Sequence, residues 1–167
     1  MQKKRPGFTL IELIVVLAIL AILAATIFIA IDPGKRIHVA RNDMRRSNVA
    51  EITKALKKYE AGHGRLPASI DSASGSVQLI GESLGPCGSV LCPGHTVVGT
   101  NCVVSDLDTL LRTSWKKPPA DPFIGSDDDT RYYVNKDKNG IVTVGACDEE
   151  GEEIGGTGVA PAIEVTQ

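Results

Sequence analysis

The chain has 167 residues, 43% of them hydrophobic and only 4% aromatic, with 18 Lys and Arg against 20 Asp and Glu and a formal charge of −2. That length holds one membrane helix and one small domain, and the near-balanced charge argues against a nucleic-acid-binding head. The hydrophobic fraction is inflated by one N-terminal segment; beyond it the sequence is polar and rich in Gly, Pro and Ser, with few aromatics (Tyr59, Trp115, Phe123, Tyr132, Tyr133) and so a modest core.

The first element is the short basic stretch Met1-Gln2-Lys3-Lys4-Arg5-Pro6-Gly7, followed by Phe8-Thr9-Leu10-Ile11-Glu12 and an apolar run from Leu13 to Ile31. As a helix the run spans about 28 Å, close to the roughly 30 Å of bilayer hydrocarbon. It exceeds the roughly 7–15-residue core of a secretory signal peptide, and Phe28 spoils a small-x-small site at Ala30. Glu12 is out of place there. A carboxylate at the centre of such a helix costs about 2.5–3.5 kcal/mol, somewhat less near an end, so a partner is expected. One candidate is local: Thr9-Leu10-Ile11-Glu12 reads as a capping box, as in a plain signal anchor. The other arises if the chain is cut after Gly7, which makes Phe8 a new α-amino terminus four residues from Glu12.

In these residues the chain resembles the class III leader and N-terminus of type IV pilins and type II secretion pseudopilins, with glycine, phenylalanine, glutamate and the apolar run all in register. The resemblance implies that a prepilin peptidase cleaves between Gly7 and Phe8 and methylates the Phe8 amine. It implies that Glu12, the fifth mature residue, pairs with a neighbouring subunit's N-terminus during assembly. The implied partners are further copies in a helical homopolymer, other pilins, the peptidase, a membrane platform protein with its assembly ATPase, and the lipid bilayer before assembly; no nucleic acid is expected. The implied location is the cytoplasmic (inner) membrane, single-pass with the head outside, and afterwards an extracytoplasmic filament. Charge alone does not set that orientation, because Lys35, Arg36 and Arg41 flank the far end of the helix as Lys3, Lys4 and Arg5 flank the near one. Removing those three leaves 15 basic against 20 acidic residues, a mature charge of −5.

Next, Asp32-Pro33-Gly34 predicts a kink rather than a stop, since helical periodicity resumes with Val49, Ile52, Leu56 and Tyr59 on one face. Gly62, Gly64 and Pro67 end the helix. Residues 35–60 are basic, and the open face of this helix is expected to be solvated or to meet acidic patches of adjacent subunits. The segment 68–104, with short apolar pieces at 77–80 and 96–98, reads as an irregular loop. Ser105-Asp106-Leu107-Asp108 is a capping signature before a short helix carrying Leu107, Leu110, Leu111 and Trp115, broken by Pro118 to Pro122. Residues 131–134 and 141–144 flank Asn135-Lys136-Asp137-Lys138-Asn139-Gly140 as a β-hairpin; 151–158 reads as a flexible linker and 162–166 as an edge strand. The organisation is thus a cleaved leader (1–7), a transmembrane and assembly helix (8–31), its amphipathic continuation (32–61) and a globular head (62–167). The fold class is α+β, a long helix packed on a small antiparallel sheet, pilin-like by resemblance.

Four cysteines, Cys87, Cys92, Cys102 and Cys147, lie in the exported part and read as two disulfides, with three pairings open. A zinc site of Cys87, Cys92, His95 and Cys102 is the rival, but its spacing fits no tight ligand pattern. Asn135-x-Asp137-x-Asn139-Gly140 partly matches a calcium loop, yet Ala146 stands where the bidentate glutamate belongs, so a turn is preferred. Resemblance to major pseudopilins would allow calcium in the head, with Asp121, Asp127 and Asp137 as candidate ligands; no other cofactor is called for. No nucleophile motif or phosphate-cradling loop accompanies the scattered His38, His63 and His95. The chain therefore reads as a structural subunit rather than an enzyme, with a monomeric, signal-anchored extracytoplasmic binding module as the alternative.

Overall fold

A computed structural model describes residues 7–73, 75–82, 87, 91–100, 102–107, 111 and 117–167. Helix α1 (Leu10–Ile31) opens on Thr9, whose hydroxyl accepts from the Glu12 N–H while the Glu12 carboxylate takes the Thr9 N–H, the reciprocal capping box the sequence predicts. None of its 22 residues is buried. Pro33 disfavours helical geometry at the residue before it, and Asp32 accordingly turns left-handed at φ 44° and ψ 72°. Such a conformation costs a non-glycine residue about 1–3 kcal/mol. Two hydrogen bonds offset it: the Asp32 carboxylate accepts from the Lys35 N–H at 3.2 Å and from the Gly155 N–H at 2.8 Å. Helix α2 (Pro33–His63) then starts with proline where a missing N–H does no harm, and ends on left-handed Gly64. The long helix is one element with a break at Asp32.

The head is a five-stranded, mostly antiparallel sheet in the order β2-β1-β3-β4-β5, built from β1 (Gln78–Ile80), β2 (Val103–Val104), β3 (Tyr132–Lys136), β4 (Val142–Ala146) and β5 (Glu164–Thr166). The α2 stripe of Val49, Ile52 and Leu56 is wholly buried, with Tyr59 packed at its end, against Tyr132, Val134, Val142, Val144 and Ala146. Strand alternation sends Tyr133 and Leu79 to the opposite face, where a second core forms with Val77, Cys92, Cys102 and Cys147. Gly145 lies directly beneath the Tyr133 ring, and any Cβ there would collide with it.

The hairpin and the C-terminal edge strand fall where they are expected, with the first hairpin strand running on to Lys136 and the second to Ala146. Leu107 and Leu111 are buried, and the Leu111 N–H donates to the Leu107 carbonyl at 2.8 Å. Leu110 and Trp115 of the expected helix lie outside the described residues. Three expectations change. The segment 68–104 is not merely a loop: residues 78–80 form a strand inside the sheet, and 103–104 pair with it in parallel. Apolar Leu79 and Ile80 each cover one of the two cores, which fixes the piece in the sheet. Secondly, the Gly-rich stretch after Asp148 is docked on α2 rather than a free linker, because its carboxylates and amides meet polar groups of that helix. Thirdly, Arg41, Arg45 and Arg46 are not left to solvent or to neighbours; Glu150, Glu152 and Asp121 of the same chain pair with them.

Candidate functional site

Gly7 and Phe8 stand at the start of the described chain with the Phe8 ring 86% exposed; the basic leader residues 1–6 lie outside the described residues. Glu12 sits one turn into α1 and is the sole charged residue of that helix. Its Oε2 accepts from both the Thr9 N–H and the Thr9 hydroxyl, each at 2.9 Å. The remaining polar side chain of α1, Thr26, donates its hydroxyl to the Leu23 carbonyl at 2.8 Å. Every other surface of α1 is hydrocarbon. At about 1.5 Å per residue its 22 residues cover roughly 33 Å, long and apolar enough to cross a bilayer.

The helix is joined to the head by a polar cluster just beyond the break. Arg45, 1% exposed, donates from Nε to Asp121 Oδ2 at 2.6 Å and from one terminal nitrogen to Glu150 Oε2 at 2.8 Å. The Asn42 amide oxygen accepts from Arg45 and from the Glu150 N–H, while its nitrogen donates to the Glu150 carbonyl. Burial alone would raise the Asp121 carboxyl. The Arg45 guanidinium and the N–H groups of Phe123 and Ile124 more than reverse that and hold it below the ordinary carboxylate range. Glu150 behaves alike, its partial burial outweighed by Arg45 and Arg41. Nearby, burial pushes the Tyr132 hydroxyl up to about 12, so it stays neutral and accepts a hydrogen bond from Asn48.

The sequence-proposed calcium ligands are each engaged elsewhere. Asp121 is held by Arg45, Asp127 pairs with Lys117, and Asp137 Oδ1 accepts from the Asn139 and Ile141 N–H groups at 2.8 Å as the pivot of the hairpin turn. Among the described residues no three metal-ligating side chains converge. The cysteines pair as Cys87 with Cys102 and Cys92 with Cys147. This removes the sulfurs a zinc site would need, and leaves His95 against the Tyr133 ring at 4.3 Å. At sequence separations of 15 and 55, the two bonds restrict the unfolded chain by about 3 and 4 kcal/mol in the loop-entropy model. Sequence reasoning does not single out Arg45, and it places a kink at Asp32 without the bonds its carboxylate makes to the Lys35 and Gly155 N–H groups. A signal existed in the segregation of basic residues at 35–60 from the acidic 148–153 stretch, and in an aspartate placed immediately before a proline.

Compared with known families, residues 2–28 match the model described as the prokaryotic N-terminal methylation motif. No curated protein and no solved structure matches the chain. The motif is that of a class III prepilin leader, consistent with type IV pilins and pseudopilins, and with the single apolar N-terminal helix it supports a membrane-anchored protein of pilin type.

Proposed function

We propose, from a chain that carries a class III prepilin leader on an α+β, pilin-like fold, that it is a structural subunit of a type IV pilus-like or type II secretion pseudopilus filament. Prepilin peptidase cleaves between Gly7 and Phe8 and methylates Phe8. The monomer waits in the inner membrane with its head outside, and a platform protein and ATPase drive assembly. In the filament the apolar helices exchange lipid for one another, and Glu12 meets the Phe8 ammonium of a neighbouring copy, an attraction that low dielectric strengthens. The observation that carries the reading is the single acid of α1 set one turn from the cleavage point on a helix with no buried residue. Such a helix gains its packing partners only from outside its own head.

The test is Glu12→Ala or Glu12→Leu. Membrane insertion should persist while sheared-filament recovery falls roughly tenfold or more, since an unpaired buried charge costs several times the 1.4 kcal/mol that makes a factor of ten. Normal recovery would remove Glu12 from assembly. One observation favours a second reading, the monomeric signal-anchored binding module: the Thr9 capping box satisfies Glu12 within its own chain. That reading requires an uncut N-terminus. Intact mass of membrane extracts separates the two, because the filament subunit must lack residues 1–7 and carry one added methyl group.

A further inference from the structure

The turn Ile154–Gly156 lies far from α1 in sequence, yet it reaches the end of α1 in space. Ile154 lines an open groove of about 790 Å³ together with Ile29 and Ile31, the last apolar turn of the spanning helix. Its side chain is 84% exposed. Single exposed isoleucines are ordinary. This one stands at a definite height, because the apolar run ending at Ile31 matches the hydrocarbon thickness, which places its last turn at the membrane boundary. The height is fixed by hydrogen bonds: the Gly155 N–H donates to Asp32, the first residue past α1, and the Glu153 N–H closes the turn onto the Thr157 carbonyl at 2.9 Å. The Gly155 carbonyl lies over Gly34, where a side chain would be crowded.

The upper wall of the same groove carries Lys35 and Arg36, both exposed. Arg36 reaches back toward α1 and donates from Nε to the Ile31 carbonyl at 2.8 Å, so its guanidinium sits at the level of the last apolar turn. Of the two acids in the groove, Asp43 is paired with Arg46 at 2.7 Å, while Asp32 holds two backbone N–H groups and, with Glu152, offsets part of the Lys35 charge, so that Arg36 is the stronger phosphate partner. An apolar floor continuous with the membrane span, with cations directly above it, is the arrangement of a phospholipid: acyl chain below, phosphate above.

We propose that the Ile154–Gly156 turn is a lipid-contacting foot of the head. Ile154 enters the interfacial zone of the head-side leaflet beside α1, and Lys35 and Arg36 bind the phosphates of anionic phospholipid. The foot sets the height and tilt of the head on the bilayer before assembly. The inference rests on the membrane-anchored state of the proposed function, and its test keeps the two apart.

The full chain with Ile154→Trp is reconstituted in vesicles of phosphatidylethanolamine and phosphatidylglycerol, or of phosphatidylcholine alone. The parent, whose one tryptophan is Trp115, supplies the baseline. Relative to that baseline, the added indole should shift to the blue and be quenched roughly twofold more by lipid labelled near the headgroup than by lipid labelled at mid-chain, as for a side chain about 5–10 Å into the boundary. Lys35→Gln with Arg36→Gln should abolish the extra quenching gained with phosphatidylglycerol. Flotation of the same samples reports anchorage. Chain that fails to float overturns the membrane-anchored state itself. Chain that floats while the added indole stays unshifted and unquenched overturns the foot alone. Quenching and blue shift that vanish as protein is diluted in lipid would assign the groove to a second copy and likewise overturn the foot.

Discussion

Helices α1 and α2 meet at one residue and solve opposite problems. Helix α1 has no buried residue and one acid; α2 buries Val49, Ile52 and Leu56 against the sheet and has Arg45 neutralised inside the same chain. The first is unfinished within the monomer and depends on lipid or on other helices. The second is satisfied within the chain along its buried face. Substitutions should therefore separate, those on the buried face of α2 and in its partners changing the stability of the head and those at Glu12 changing the proposed assembly.

The largest effect on the head should come from Arg45→Ala. Asp121 would then be a buried carboxylate with no cation, a loss of about 3–5 kcal/mol when one member of a buried pair is removed. For a domain of this size that lowers the melting temperature by roughly 15 °C or more. Near-ultraviolet circular dichroism of the full chain in detergent reads the transition, and the cleavage proposed after Gly7 should be unaffected. A head that melts as the parent does would show that the cluster is ornamental, and would blur the contrast between the helices.

The smaller, graded form of the same experiment is acid. Asp121 and Glu150 are both held below their ordinary range in the folded head. A carboxylate depressed on folding contributes stability that is fully present above the unfolded value, about 4 for these groups, and is lost as the pH falls through the lower native values. Thermal melts should therefore be flat from neutrality to about pH 5 and fall steeply below about pH 4. In Asp121→Asn with Glu150→Gln the steep limb should shrink. An unchanged limb would place the acid sensitivity in other carboxylates.

What the sequence disclosed follows the same division. The start of α1, its apolar length, the break before Pro33 and the α2 stripe are local patterns, fixed by capping chemistry, by proline sterics and by a 3.6-residue period. The hairpin was equally plain, because Asp137 and Gly140 carry their own turn chemistry. Pairings distant in sequence were hidden. Nothing in Val77 to Ile80 states that its neighbours are Tyr133 and Val103, and two short strands carry too little periodicity to be told from loop. The disulfide partners were undetermined for the same reason. The 151–158 stretch differs from a linker because its glycines serve conformation and close approach rather than mobility: Gly155 and Gly156 both stand at φ 74°, and a side chain at Gly156 would strike the His38 ring. The basic row of α2 is expected to meet solvent or adjacent subunits, since the sequence does not say that Glu150 and Glu152 of the same chain face it.

The smallest predicted effect lies at the junction of the two helices. Asp32 offsets its left-handed backbone with two hydrogen bonds, one capping α2 and one holding the Gly155 turn. Glycine at position 32 would relieve about 1 kcal/mol or more of strain, and as a cap it is only a few tenths poorer. It would also lose the bond to Gly155, worth about 0.5–1.5 kcal/mol net. The terms nearly cancel, so Asp32→Gly should move the melting temperature by no more than a few degrees. Local opening should nevertheless change: the Gly155 amide, freed from its carboxylate, should exchange with solvent roughly tenfold faster while amides of β3 and β4 keep their protection. Faster exchange throughout the head would mean that Asp32 supports the fold as a whole. Unchanged exchange at Gly155 would mean that the turn is held by Gly151 on His38 and by Glu152 on Asn42 and Arg46 without help from the break.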